Sequence, residues 1–87
     1  MEKIIVNKNA SIIVINSVYE KSLRDLKCLA DKGIQYPKIQ FNVPNYGDGH
    51  TVYEKLRNHG VKCMERGMGS NRLFDGSYEF NISLEFI

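Results

Sequence analysis

The clearest hydrophobic pattern in the chain is the strict alternation of apolar and polar side chains over residues 78–86. A period of two residues predicts a β-strand with one buried face and one face in water. Residues 38–43 repeat the pattern between Pro37 and Pro44, where prolines are tolerated at the ends of a strand. The apolar positions of the two runs are Tyr78, Phe80, Ile82, Leu84 and Phe86, and Ile39, Phe41 and Val43. Both runs therefore predict strands that give one face to the core.

Two β-branched runs near the N-terminus, residues 3–7 and 11–16, are apolar on both faces. Lys8-Asn9 lies between them and suits a tight turn, so the pattern predicts a β-hairpin. Strands of this kind are central in a sheet or covered on both sides. If this N-terminal hairpin lies at the sheet edge, a homodimer would bury its second apolar face; if it is central, no dimer is needed.

Two similar segments predict the starts of two helices. Residues 17–21 read Ser-Val-Tyr-Glu-Lys and residues 51–55 read Thr-Val-Tyr-Glu-Lys, so each has the spacing of a capping box. Gly33 and Gly60 are in position to end the two helices. The similarity indicates either a duplicated strand–helix unit or convergence on a good capping sequence, with convergence as the default.

The remaining residues complete an α+β chain. Residues 61–66 are predicted to form a strand, residues 67–70 a flexible loop, and Asp75-Gly76 a hairpin turn. The order is then ββαβαββ, which predicts a two-layer sandwich. Its mixed sheet has about five strands, with two helices on one face and the other face open to water. Residues 1–87 form a single globular domain, and the sequence leaves the order of the strands open.

Composition agrees with one soluble domain of 87 residues and 10.0 kDa. A content of 43% hydrophobic and 25% charged residues excludes a disordered chain and a disulfide scaffold. No apolar run could span a membrane, and the N-terminal run is too short for a signal peptide, which predicts a cytoplasmic protein. The abundance of Asn, Ile and Lys is typical of AT-rich coding sequences, as in many bacteria and phages, and is compatible with a phage or mobile-element origin.

Charge is distributed unevenly although the net charge is only +2. Residues 55–72 carry five basic side chains against Glu65 alone, and residues 73–87 carry only acidic ones. The basic side chains are Lys55, Arg57, Lys62, Arg66 and Arg72. The two segments are either solvated faces that attract each other weakly or, for residues 55–72, a patch for an acidic partner.

Residues 66–72 are the first candidate for a binding surface. Met68 stands between two glycines in a polar segment, with little local core to enter. The default interpretation is a plain connection with Met68 packed on the sheet. The functional interpretation is a partner-contact loop, because methionine adapts to many contacts and arginine is enriched in interfaces. The residues assigned to a protein partner are Lys62, Arg66, Met68, Ser70, Asn71 and Arg72.

The second candidate is a loop predicted between a strand and the helix that begins at Thr51. Free N–H groups at a helix start favour an anion, and glycines let a ligand approach the backbone. The segment has no phosphate-binding motif, and Asp48 would repel a phosphate, so an ordinary connection is the default. The residues assigned to this anion or ligand loop are Tyr46, Gly47, Asp48, Gly49, His50 and Thr51.

Neither a metal site nor a catalytic set is predicted. Of the four ligand-type side chains Cys28, His50, His59 and Cys63, only the last two are close in sequence, and Cys28 falls on the polar face of its helix. Cys63 falls on an inward strand face, which disfavours a reactive thiolate. Two such cysteines in a cytoplasmic chain are expected to be reduced. We therefore expect no enzyme, metal or cofactor.

The sequence favours a small non-enzymatic binding protein that acts through a protein–protein surface, of inhibitor, adaptor or regulatory type. The alternative is a nucleic-acid or nucleotide-binding module that uses the basic segment 55–72. Against RNA binding on the open sheet face, all strand aromatics fall on the apolar face, and Glu79 and Glu85 would repel phosphates. No sequence signature identifies the partner.

Overall fold

The computed structural model describes residues 3–87, which form two helices and a three-stranded sheet. In chain order the elements are α1 (Lys8–Asp31), β1 (Lys38–Val43), α2 (Tyr46–His59), β2 (Cys63–Arg72) and β3 (Tyr78–Phe86). The α+β class and the two helices are confirmed. The prediction of a mixed sheet of about five strands in the order ββαβαββ is wrong, because the described order is αβαββ and all pairing is antiparallel.

The predicted N-terminal hairpin is absent from residues 3–87, because residues 8–16 are helical. α1 begins after Asn7, whose side chain accepts the backbone N–H groups of Asn9 and Ala10 at 3.1 and 3.3 Å. Ser17 and Glu20 therefore lie within the helix, and the capping box predicted there does not start it. The hairpin through which a homodimer was predicted therefore does not form within residues 3–87.

A helical stripe explains why the β-branched run is not a strand. The inward stripe of α1 extends toward the N-terminus from Ser22 and Leu26 through Val18 to Ile15, at spacings of three or four residues. Packing of this stripe against α2 and β1 outweighs the preference of Ile and Val for strands. The run is apolar on all sides, so local pattern alone could not distinguish the two structures.

The sheet has the order β1-β3-β2, with β3 between two strands that are parallel to each other. Since α2 connects β1 to β2, the arrangement is a split β-α-β unit preceded by a helix. Each residue of β1 is paired from Lys38 opposite Ser83 to Val43 opposite Tyr78. The alternation predicted for both strands is confirmed by their burial, since every second residue is buried over residues 39–43 of β1 and 80–84 of β3.

The core lies between the helices and the apolar face of β1 and β3. Its central side chain is Phe80, which is fully buried and stacks on Phe41 with ring centroids 5.6 Å apart. α1 packs on α2 and on β1, and α2 packs also on β1 and β3. Fewer contacts reach β2, and Cys63 is its only buried residue. The helices therefore leave β2 largely uncovered.

α2 begins at Tyr46, five residues before the predicted start at Thr51. The backbone N–H of Asn45 donates to the Asp48 carboxylate at 3.2 Å, which caps the first turn. The prediction that residues 46–51 form a loop is therefore wrong. Thr51 lies within the helix, where its hydroxyl donates to the Gly47 carbonyl at 3.0 Å.

β2 continues to Arg72, so the predicted flexible loop at residues 67–70 is also wrong. The strand is paired with β3 along its length apart from a bulge between Glu65 and Gly67. A hairpin turn lies where the sequence predicted it, at Asp75-Gly76, and Gly76 has the positive φ of 89° that favours glycine. The loop has three residues, from Phe74 to Gly76, and not the two predicted, because Leu73 pairs with Ser77. Pairing with the strongly patterned β3 therefore orders a glycine-rich segment that has little strand preference itself.

Candidate functional site

The exposed edge of β2 over residues 67–72, named here the β2 edge, is the first component of the candidate site. Leu73 N–H donates to the Ser77 carbonyl at 2.8 Å, so these two residues form a hydrogen-bonded pair. Hydrogen-bonded and non-hydrogen-bonded pairs alternate along an antiparallel ladder. Arg72, Ser70 and Met68 therefore direct their N–H and C=O groups away from β3. Within residues 3–87, no strand pairs with this side of β2.

The opposite edge of the sheet, on β1, is less suited to pairing with another chain. β1 has only six residues. By the same alternation, the residues that direct their backbone groups away from β3 begin with Lys38 and end with Pro44. Short strands, lysines and prolines are features that keep sheet edges from pairing. The β2 edge has a regular run of six residues without proline, and Arg72 is its one charged residue.

A groove between α2 and β2, named here the α2–β2 groove, is the second component. It has a volume of about 410 Å³. One wall is a stripe of α2 and the other is the helix-side face of β2, with Tyr53 and Phe80 between them. The α2 wall consists of Tyr46, His50, Glu54 and Arg57, and the β2 wall of Glu65, Met68 and Ser70. A strand added to the β2 edge would place alternate side chains at this groove.

The groove differs in chemistry between its two ends. At one end the Tyr46 ring lies 5.0 Å from that of His50 and 5.6 Å from that of Tyr78, centroid to centroid. At the other end Arg57 and Glu65 act on the hydroxyl of Tyr53. Burial raises the pKa of Tyr53, with the positive charge of Arg57 opposing the shift. The groove therefore offers an aromatic end and a charged end to one ligand.

The structure brings together four of the six residues predicted to contact a partner. Met68, Ser70 and Arg72 share the helix-side face of β2, and Asn71 lies between them on the opposite face. Arg66 is separate, because it pairs with Glu85 at 3.0 Å and lies over the Tyr36 ring. Lys62 precedes β2 and lines a different depression, which is about 420 Å³ in volume and lies near Gly33 and Ile87.

The basic residues of segment 55–72 do not form one patch. Lys55 donates to the Asn16 side chain at 2.7 Å and lies over the Tyr19 ring, on the side of α2 that faces α1. Arg57 lies in the α2–β2 groove, and Arg66 is bound to Glu85. Adjacent charges in the sequence therefore point to different sides of the molecule.

Asp48 occupies the N-terminus of α2, where the sequence analysis placed an anion. One carboxylate oxygen of Asp48 accepts the Ser11 hydroxyl at 2.8 Å, the Asn45 backbone N–H at 3.2 Å and the Asn45 side-chain amide at 3.3 Å. The chain's own carboxylate already fills the position that a bound anion would take. Of the residues in the predicted loop, Tyr46 and His50 instead line the α2–β2 groove.

Both cysteines are free thiols, with Cys28 exposed and Cys63 buried, as their positions in the pattern predicted. Burial raises the pKa of the Cys63 thiol, and the nearby charge of Arg57 acts in the opposite direction. A raised pKa keeps the thiol protonated, and a thiol is a poor nucleophile. Residues 3–87 contain no cluster of three or more His, Cys, Asp or Glu side chains that could hold a metal ion.

Sequence reasoning missed Tyr53, Glu54 and Glu65 as residues of the candidate site, and it named Arg57 only as part of the basic segment 55–72. They lie in the groove only because α2 begins at Tyr46 and β2 passes beside it. The signal for the helix start was present as Asn45 and Asp48 at capping-box spacing, but the two glycines between Tyr46 and His50 favoured a loop. The position of β2 beside α2 had no local signal.

Comparison with known proteins identifies no relative, since no family model, curated protein or solved structure matches the chain. Neither described helix has an apolar stretch long enough to cross a bilayer. Any assignment of function therefore depends on the β2 edge and the α2–β2 groove.

Proposed function

We propose that this chain is a non-enzymatic protein-binding domain that takes an extended segment of a protein partner along the β2 edge. The observation that carries the proposal is the outward direction of the backbone groups of Met68, Ser70 and Arg72 beside an open groove. In strand addition, backbone hydrogen bonds supply affinity, and pockets for alternate side chains supply specificity. A domain of this kind acts as an inhibitor, adaptor or regulatory subunit.

Exposure of the β2 edge supports this function over a purely structural role. All residues of 63–72 except Cys63 and Met68 are exposed, although the strand is regular over most of its length. An added strand would gain main-chain partners without displacing any part of the described chain. The nucleic-acid alternative has weaker support, because Lys55 and Arg66 are held by contacts on different sides of the molecule.

The test is photo-crosslinking from position 72, at the end of the β2 edge, in a lysate of the native host. Ser70→Pro removes one outward N–H but no hydrogen bond of the β2–β3 ladder. Gln40→Pro is the matched control, because Gln40 has the same outward position on β1. We expect Ser70→Pro to lower the yield of crosslinked partner at least tenfold and Gln40→Pro to leave it unchanged.

Equal yields from the three chains would overturn the proposal, and so would equal losses in the two proline variants. Circular dichroism and urea unfolding establish that each variant is folded. Amide exchange of the unmodified chain gives a second measurement. The N–H groups of Met68, Ser70 and Arg72 should exchange quickly in the free monomer and become protected when the crosslinked partner is added. Their continued rapid exchange in the complex would also contradict strand addition.

A further inference from the structure

Residues 3–7 precede α1, form neither helix nor strand, and contribute no side chain to the core. Ile4, Ile5 and Val6 are 100, 84 and 73% exposed. Within residues 3–87, the backbone of residues 3–6 makes no hydrogen bond to another part of the chain. Exposure of three consecutive large apolar side chains is unusual for a soluble domain unless another molecule covers them.

The sequence of this segment is that of a strand covered on both faces. Ile and Val are strong strand formers, and in an extended chain Ile4 and Val6 point to one face while Ile5 points to the other. An apolar side chain on each face is typical of a strand buried on both sides. The segment of residues 3–7 has five residues, and the β2 edge, with six, is similar in length.

At the β2 edge, both faces of the sheet have room for the side chains of such an added strand. On the helix side, Met68 and the aromatic end of the α2–β2 groove would receive one set of side chains. On the open side, Gly67 and Gly69 have nothing within 4 Å of the position of a Cβ atom. A large side chain on the added strand could therefore lie beside these glycines without a clash, and it would cover their exposed backbone.

We propose that residues 3–7 of one copy bind as an added strand along the β2 edge of a second copy. The inference rests on the proposed function and names a partner for the same site. Each chain contains one segment and one β2 edge, so a reciprocal exchange closes as a two-fold dimer with no strand left over. A second copy is the occupant favoured here because it always provides this segment, and because the segment does not lie on its own β2 edge.

The test compares dimerisation of full-length variants by light scattering and sedimentation across a concentration series. Ile4→Asp with Val6→Asp changes the segment, Ser70→Pro changes the edge, and Ile13→Asp is the control. Ile13 is a comparably exposed apolar residue, at 67%, but it lies on α1. We expect the unmodified chain and the Ile13→Asp variant to form dimers. Each of the other two variants should raise the dimer dissociation constant at least tenfold.

Mixing the two impaired variants provides a complementation test. The Ile4→Asp/Val6→Asp chain keeps an intact edge, and the Ser70→Pro chain keeps an intact segment. Together they should form a one-to-one heterodimer held by one exchanged strand, although each is monomeric alone. A monomeric unmodified chain, dimers that survive either variant, or a segment crosslinked to the edge of its own chain would each overturn the inference.

Failure of this inference can be distinguished from failure of the proposed function. The crosslinking experiment from position 72 is repeated in the Ile4→Asp/Val6→Asp chain, which has a free β2 edge. If that chain captures another protein in a Ser70-dependent manner while the unmodified chain remains monomeric, strand addition stands and self-association is wrong. Loss of all Ser70-dependent capture in both chains would remove both proposals.

Discussion

Gly49 is the residue of α2 that the core requires to be small. It is buried, and a Cβ atom at this position would overlap the ring of Phe80. Phe80 cannot readily move, because it is fully buried on the central strand between Phe41 on one side and Tyr46 and His50 on another. Close approach of α2 to β3 therefore depends on the missing side chain, and this approach also positions the wall of the α2–β2 groove.

Gly49→Ala should destabilise the protein by about 1–3 kcal/mol, the range for overpacking a well-packed core. Gly47→Ala is the matched control on the same helix, since nothing lies within 4 Å of its Cβ position. That variant should be neutral or more stable by up to about 1 kcal/mol, because alanine favours helix. Urea unfolding measures both values, and equal effects at the two positions would show that α2 does not approach Phe80 as described.

α1 illustrates how an element can be longer than its local signals indicate. Its first nine residues, 8–16, include four consecutive β-branched residues, and the best capping box in the region lies inside the helix. The helix is held at its beginning by Asn7 and by the Ser11–Asp48 hydrogen bond to α2. A local cap and a contact with α2 therefore together determine where α1 begins.

Asn7→Ala should lower the free energy of unfolding by about 1 kcal/mol, because two N–H groups at the start of α1 lose their acceptor. Ser17→Ala should cause no loss and could give a small gain, because Ser17 is exposed within the helix. Thermal and urea unfolding with helix content by circular dichroism test this pair. The opposite order, with Ser17→Ala the more damaging change, would indicate that the helix begins at Ser17.

At the scale of the whole molecule, the layer formed by the two helices covers the three strands of the sheet unevenly. Two helices pack on β1 and β3, while β2 extends beyond them as an exposed strand. Burial of two ionisable side chains contributes to the stability of the molecule. Cys63 is buried at the beginning of β2, and Tyr53 of α2 is buried in the same core. Both are neutral acids whose pKa burial raises.

This burial predicts that the protein loses stability at alkaline pH. In the unfolded chain the Cys63 thiol and the Tyr53 phenol ionise near their ordinary values of 9.0 and 10.0, whereas the folded chain keeps both protons to higher pH. Stability is therefore fully present below about pH 9 and falls as the pH rises past these values. Urea midpoints between pH 7.5 and 10.5 measure the loss.

Substitution separates the contribution of the buried thiol from general alkaline effects. Cys63→Val should lose less stability than the unmodified chain as the pH rises over this range, because it has no buried thiol that ionises on unfolding. Cys28→Ala is the control, because it removes the exposed thiol and should keep the full pH dependence. A Cys63→Val protein that loses stability as steeply as the unmodified chain would contradict the assignment.

The sequence predicted the elements that have a strong period of their own. The alternation in β1 and β3, the turn at Gly76, the end of α1 near Gly33 and the burial of Cys63 are all confirmed. Of the candidate site, Met68, Ser70, Asn71 and Arg72 were identified from composition alone, although as a loop and not as a strand. Their role in binding stays a prediction.

The sequence by itself determined the α+β class and which face of each alternating strand is buried, because these follow from the period of the apolar residues. Tertiary structure decided the rest. It made residues 8–16 helical by packing them on α2, placed α2 close to β3 by fitting Gly49 against Phe80, and ordered residues 67–72 by pairing with β3. Each of these outcomes depends on contacts between residues far apart in the chain, and such contacts leave no periodic signal in the local sequence.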